Sequence, residues 1–120
     1  MKKLRTTNPE LIALIRDLKK HSRITKAEIW GTLAEQLSSS RRSRIAVNLS
    51  RLNRFTKDGE TVVVPGKVLG AGRADHPLIV AAFAFSELAK LKMLKARGKC
   101  LSIRDLMKEN SSGKNVKLIK

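Results

Sequence analysis

Residues 61–89 read TVVVPGKVLGAGRADHPLIVAAFAFSELA, and the rest of the chain is organised around this stretch. It contains two apolar segments, Thr61–Val64 and Leu78–Phe85, which are short and continuous, as buried strands tend to be. The residues between them include three glycines and the cations Lys67 and Arg73. Glycine allows a backbone to approach a partner closely, and the cations indicate that the partner is anionic. The stretch therefore predicts a buried sheet that presents a glycine-rich, cationic loop to an anion.

The composition points to a polyanionic partner. The chain has 120 residues, the length of one domain, and its 42% of hydrophobic residues is typical of a globular core. Aromatic residues make up only 3%, so the core must consist mostly of Val, Ile, Leu and Ala. The 26 Lys and Arg residues against 10 Asp and Glu give a formal net charge of +16. A protein does not need so large an excess of positive charge to fold or to stay soluble, because like charges repel one another. We therefore expect a nucleic acid as the partner.

The cysteine count and the hydropathy pattern bear on location. Cys100 is the only cysteine, which excludes an intrachain disulfide. It follows Lys99, which could activate a thiol, but a small buried strand residue is the commoner case. No apolar run is long enough to span a membrane, and Leu11–Leu18 is too short and too charged for a signal peptide. We therefore expect a cytoplasmic protein without a membrane partner.

The N-terminal third predicts two helices after a basic arm that contains Lys2, Lys3 and Arg5. The first helix begins at Asn8-Pro9, with an N-cap followed by proline at the first position, and has Lys19 and Lys20 in its last turn. The second begins at Thr25, which has the capping-box spacing to Glu28, and ends in the serine run 38–40. Their apolar faces are formed by Leu11, Leu14, Ile15 and Leu18, and by Trp30, Leu33, Ala34 and Leu37.

No acidic residue occurs between Gln36 and Lys57, and this segment contains several arginines. Alternation at Ile45, Val47 and Leu49 predicts a strand with one buried face. Asp58-Gly59 is a hairpin turn signal, so this strand could pair with Thr61–Val64. The spacing of Leu49, Leu52 and Phe55 equally allows a helix, and the pattern leaves both open.

The last third predicts a strand over Leu78–Phe85, although the alanines would also allow a helix from Pro77. Ser86 is expected to cap a helix that runs to Ala96, with Gly98 as the residue that ends it. Further elements are predicted as a strand at Cys100-Leu101, a helix from Ser102 to Glu109, a turn at 110–113 and a strand at Val116–Ile119.

The motifs that would indicate an enzyme fail on spacing. Glycines 66, 70 and 72 match neither a phosphate-binding Walker loop nor a dinucleotide fingerprint. Ser86 lacks the flanking glycines of a nucleophile elbow. His21 and His76 are the only histidines and form no metal cluster with one cysteine. His76 is better interpreted as a polar contact or stacking surface for RNA, and we expect no cofactor and no small-molecule substrate.

The segment Val64–Gly72, VPGKVLGAG, followed by Ala81-Ala82-Phe83, Phe85-Ser86 and Ala89, resembles the eighteen-e family of large-subunit ribosomal proteins from archaea and eukaryotes. That family is similar in fold to the bacterial large-subunit protein fifteen, and the length resembles the short archaeal form. The resemblance implies an α/β fold in which N-terminal helices pack beside an irregular strand-strand-helix superhelix with a small sheet. It also implies binding to large-subunit ribosomal RNA beside neighbouring ribosomal proteins. One departure is Arg97-Gly98, where the family has a Gly-Gly pair.

These observations predict a single RNA-binding domain over residues 1–120, with a basic arm at 1–7, a helical part at 8–40 and a mixed core at 41–120. Arginine and lysine would neutralise RNA phosphates, and the glycine loop would fit between RNA helices. The alternative is a DNA-binding regulator with Asn8–Lys20 and Thr25–Ser38 as a helix-turn-helix pair, although Glu28 and Glu35 would repel phosphates. The predicted RNA-binding residues are Lys2, Lys3, Arg5, Arg41, Arg42, Arg44, Arg51, Arg54, Lys67, Gly70, Gly72, Arg73, His76 and Lys99.

Overall fold

The computed structural model describes residues 9–38 and 45–120. Helices and strands alternate along most of this part of the chain. Their bounds, in chain order, are α1 Pro9–Thr25, α2 Glu28–Ser38, β1 Ala46–Asn48, α3 Leu49–Arg54, β2 Thr61–Leu69, β3 Ile79–Phe85, α4 Glu87–Lys95, β4 Lys99–Ser102, α5 Ile103–Glu109 and β5 Val116–Leu118.

All the strand pairs of the sheet are parallel. The order is β1-β2-β3-β4, and β5 also pairs with β2. One edge of β2 pairs with β3 from Thr61 to Val68, so the other edge is shared: residues 61–63 pair with β5 and residues 67–69 pair with β1. A bulge between Val64 and Lys67 separates the two halves, at a proline that has no N–H to donate. The expected hairpin through Asp58-Gly59 is therefore wrong, because a parallel pair cannot be closed by a tight turn.

Helices cover both faces of this sheet. On the first face, α1, α2 and α5 pack against Val63 and Ala81, and on the second face α3 and α4 pack against Val62 and Val64. Neighbouring residues of β2 thus point into different clusters, as the alternation of a strand requires. Because both faces are buried, the strand reads as the continuous apolar run that the sequence shows. The α/β class is confirmed.

The predicted elements of the second half are largely confirmed. Residues 79–85 form a strand, so the alternative helix from Pro77 is wrong. The Ser86 hydroxyl accepts a hydrogen bond from the Ala89 N–H at 3.1 Å and caps α4 as expected. The open question at residues 45–55 is answered by a short strand that turns directly into α3. The Ser102 hydroxyl caps α5 in the same way, at 3.1 Å from the Asp105 N–H.

Three local predictions need correction. The Thr25 capping box does not form: α1 continues to Thr25, whose hydroxyl donates to the His21 carbonyl and accepts from the Ala27 N–H, and α2 begins only at Glu28. Cys100 is exposed rather than buried, and partial desolvation raises the pKa of its thiol while Lys90 opposes the shift. A raised pKa argues against an activated thiol.

The end of α4 is the third correction. Arg97, and not Gly98, has the left-handed backbone conformation that follows the helix, with φ of +63°. Gly98 serves another purpose, since a Cβ there would collide with the backbone of Leu78, the residue before β3. The predicted N-cap Asn8 and the end of the serine run at 39–40 lie outside the described residues.

Candidate nucleic-acid interface

Residues 70–78, here called the crossover loop, connect two parallel strands and must therefore cross a face of the sheet. The loop follows α3 on the second face. The Ala71 carbonyl accepts from the Ser50 N–H at 3.1 Å. Further along, the Asp75 N–H donates to the Asn53 side-chain carbonyl at 2.9 Å, and the Asn53 amide donates back to the Asp75 carboxylate at 3.1 Å. These bonds attach the loop to α3 at two positions, Ser50 and Asn53.

The other side of the crossover loop is held by α4. The Lys92 ammonium donates to the Gly70 carbonyl at 2.6 Å and to the Gly72 carbonyl at 2.8 Å. Gly72, Arg73, Lys92 and Lys95 line a shallow depression between the loop and the helix. The loop is thus preorganised between two helices and does not need a ligand to fix its path.

Contacts inside the protein explain why glycine occupies both loop positions, 70 and 72. A Cβ on Gly70 would lie 2.6 Å from Leu88 Cγ and 2.9 Å from the Ala89 nitrogen. Gly72 has φ of +95°, and its Cβ would collide with Ser50 of α3. The cations Lys67 and Arg73 on either side predict that these glycines matter more for RNA affinity than for stability. The crowding favours a structural role for both glycines, because substitution at either position must disturb the packing of the loop. Their effect on RNA affinity stays a prediction.

His76 is also held by the protein. The Thr56 hydroxyl donates its single proton to the Leu52 carbonyl, so it can only accept from the His76 Nε2 at 3.0 Å. His76 Nε2 therefore bears a proton, and Thr56 orients the ring. The side chain is half-buried, which leaves part of it at the surface.

Charge is distributed unequally between the two faces. The first-face helices α1, α2 and α5 contain six Lys and Arg residues and six Asp and Glu residues. The second-face elements α3, the crossover loop and α4 contain six Lys and Arg residues but only Asp75 and Glu87 as acids. The positive charge is thus concentrated on the second face because its elements contain fewer acids, and not because they contain more bases.

The predicted binding residues are only partly brought together. Arg51, Arg54 and Arg73 are exposed on the second face, where Arg73 forms an exposed ion pair with Asp75 at 3.5 Å. Lys67, on β2, and Lys99, at the start of β4, are also exposed, but their two strands are separated by β3. The predicted residues that lie outside the described part of the chain are Lys2, Lys3, Arg5, Arg41, Arg42 and Arg44.

The sequence reasoning missed two features of the second face. Lys92 and Lys95 of α4 are three residues apart, which brings both to the side of the helix beside the loop. Phe55, at the end of α3, is 49% exposed, with the guanidiniums of Arg51 and Arg54 centred 5.1 and 5.6 Å from its ring. The available signal was a phenylalanine that directly follows Arg54 and lies four residues after Arg51.

Other kinds of site are not supported within the described residues. Over 9–38 and 45–120, no group of three or more His, Cys, Asp or Glu side chains could hold a metal ion. Of the helices that the structure describes, none has both the length and the apolarity needed to cross a membrane.

Comparison with known proteins decides the family. A family described as "Ribosomal protein 60S L18 and 50S L18e" matches residues 1–120. The large ribosomal subunit protein eL18 of Methanothermobacter thermautotrophicus is 45% identical over 99% of this chain and 98% of its own length. The proteins of the same name from Methanospirillum hungatei and Methanoregula boonei are 42% and 44% identical over 95% of this chain and 94% of theirs. The chain belongs to this family.

Family membership confirms the resemblance and makes the chain an archaeal, structural constituent of the large ribosomal subunit rather than an enzyme. It belongs with the ribosome in the cytoplasm. The helix-turn-helix alternative also fails on structure. Helix α2, which would read the DNA, contains no Lys or Arg and carries Glu28 and Glu35 on its exposed side.

Proposed function

We propose that this chain binds large-subunit ribosomal RNA through the second face of its sheet. The observation that carries the proposal is the charge asymmetry: the helices of the first face and the helices and crossover loop of the second face contain equal numbers of cations, but the second-face elements contain only two acids. Exposed Arg and Lys side chains at this face would neutralise phosphates and release counterions. The basic arm and residues 41–44 would add further phosphate contacts.

The crossover loop would set the geometry of this surface. RNA duplexes are recognised mainly by shape and by backbone contacts, which requires cations at fixed positions. Arg73 belongs to a loop that is hydrogen-bonded to α3 and to α4, and Arg73 and Lys95 line the same depression. The glycines shape the loop, and the cations at its surface contact the RNA.

Two matched triple variants test the proposal. Arg54, Arg73 and Lys95 on the second face, or Arg16, Lys20 and Arg23 on α1, are replaced with Gln. All six side chains are exposed, and each triple lowers the net charge by the same amount. At about 0.1 M salt each lost phosphate contact costs roughly 0.7–0.9 log units, so the second-face triple should bind a large-subunit RNA fragment about a hundredfold or more weakly.

The α1 triple should bind this RNA almost as the wild type does. Equal losses in the two variants would show that only the net charge matters and would contradict the proposal. Filter binding to duplex DNA at matched salt is the second comparison, since a DNA-binding regulator would prefer the duplex DNA.

We further propose that neighbouring ribosomal proteins contact the outer side of α4. Leu88, Leu91 and Leu94 are exposed in a row at helical spacing, and Leu94 is 73% exposed. Replacing Leu91 and Leu94 with Gln should reduce co-sedimentation with large subunits while leaving binding to the isolated RNA fragment unchanged. Unchanged co-sedimentation would contradict this contact.

A further inference from the structure

Phe55 is an exposed aromatic in a chain that has very few. Of the four aromatic residues, Trp30 is fully buried, whereas Phe55 and Phe83 are 49% and 45% exposed. Leaving half of a phenyl ring in water forgoes part of the free energy that its burial would provide. Phe55 differs from Phe83 in having two cationic neighbours, Arg51 and Arg54, over its ring.

The position of the ring is fixed by its backbone. The Phe55 N–H donates to the Arg51 carbonyl at 3.2 Å, and the Phe55 carbonyl accepts from the Lys117 ammonium at 3.3 Å. Lys117 is itself held by Glu60 at 2.8 Å, and the next residue, Thr56, is buried and bonded to α3. The backbone that carries the ring is therefore held in place at the end of α3.

The charges around Phe55 select what can cover it. Within the described part of the chain, Arg51 and Arg54 form no ion pair, so an apolar protein surface placed on the ring would desolvate two uncompensated guanidiniums. A nucleotide satisfies both groups, because its base stacks on an aromatic ring or a guanidinium plane and its phosphates pair with the arginines. A paired base inside a duplex has no free face to offer.

We propose that Phe55, with Arg51 and Arg54, forms a binding site for an unpaired RNA base. This inference rests on the proposed RNA-binding function and adds a contact to a base to the phosphate contacts of the second face. The base lies against the exposed side of the Phe55 ring, and the flanking phosphates lie at the two guanidiniums. Since every base has a π-face, the site selects unpaired nucleotides rather than a sequence.

The test uses Phe55→Trp as a fluorescent probe in the full chain. Trp30 is 0% exposed and gives a constant background, so a change in emission reports on position 55. The probes are a short single-stranded oligouridylate, a blunt RNA duplex, and heparin as a polyanion without bases. We expect the oligouridylate to quench the emission of the new tryptophan, and the duplex and heparin to bind without quenching it. Equal quenching by heparin would overturn the proposal.

Affinity of the single strand provides the second measurement. Phe55→Leu should weaken binding of the oligouridylate about five- to 150-fold, the range for loss of one base stack, while both arginines remain. Phe83→Leu is the matched control and should bind as the wild type does, and circular dichroism melting checks that both variants fold. Unchanged affinity of Phe55→Leu without quenching of the Trp variant would overturn this inference alone. Absence of binding by the wild type to any RNA would instead overturn the proposed function and this site with it.

Discussion

The three glycines at positions 59, 70 and 72 allow backbone strain and steric crowding to be measured separately. Gly59 has φ of +79° and nothing within 4 Å of its Cβ position, so alanine there adds strain alone. Gly70 has no left-handed backbone, but a Cβ would lie 2.6 Å from Leu88 Cγ, so alanine adds crowding alone. Gly72 combines φ of +95° with a collision against Ser50.

The expected losses follow from these geometries. Gly59→Ala should cost about 1–2 kcal/mol, the penalty of an L-residue in the left-handed region. Gly70→Ala should cost about 1–3 kcal/mol, because a carbon contact near 2.6 Å must open to roughly 3.5 Å and displace the first turn of α4. Gly72→Ala bears both penalties and should cost about 3 kcal/mol or more. Urea denaturation followed by circular dichroism gives each free energy of unfolding.

A double-mutant cycle with Leu88→Ala tests the crowding directly. In that background the Cγ contact is gone but a contact to Leu88 Cβ at 2.7 Å remains, so the penalty of Gly70→Ala should fall by about 1 kcal/mol and not vanish. RNA affinity of folded Gly70→Ala should stay within about threefold of wild type, because no phosphate contact is removed. A variant of wild-type stability that binds RNA tenfold more weakly would refute the reasoning and restore the backbone-to-phosphate interpretation.

Three further predictions concern local stability. Arg97→Gly should raise the free energy of unfolding by about 0.5–1 kcal/mol in urea denaturation, since glycine relieves the φ of +63°, and a loss of stability would contradict this. Ser86→Ala should lower it by about 1 kcal/mol while Ser86→Asp retains the cap of α4, and equal melting temperatures of wild type and the alanine variant would count against the cap. Hydrogen bonds from the Lys117 side chain and the Lys57 N–H hold the pKa of Glu60 below its usual value of 4.5. The difference in free energy of unfolding between wild type and Glu60→Gln should therefore be complete above about pH 5 and shrink as the pH falls below 4.5. A difference that does not change between pH 7 and pH 3 would exclude this linkage.

The sequence predicted those elements whose signals are local. Ser86 and Ser102 precede helices and cap them, and the apolar faces at Leu11–Leu18 and Trp30–Leu37 are buried as their spacing indicates. These features depend on residues a few positions apart, which the chain order itself brings together.

The features that the sequence did not predict depend on distant contacts. Helix α1 continues past Lys20 because His21 packs edge-on against Trp30 at 5.5 Å, and both rings reach the Ser111 carbonyl at 2.9 Å. Strand β2 continues through Pro65 because β1 and β5 share its edge on either side of a bulge. Lys92 contacts Gly70 and Gly72 of the crossover loop, and Phe55 is held by Lys117. No spacing along the chain reveals these neighbours.

The dependence of RNA affinity on salt tests the central claim most directly. If about six phosphates are neutralised, a plot of log affinity against log salt for the wild type and a large-subunit RNA fragment should have a slope of about −4 to −5. Replacing Arg54, Arg73 and Lys95 with Gln should make this slope about 2 to 3 units shallower, while the triple variant on α1 should keep it. A wild-type slope near zero, or the same slope in both triple variants, would contradict binding of RNA through the second face.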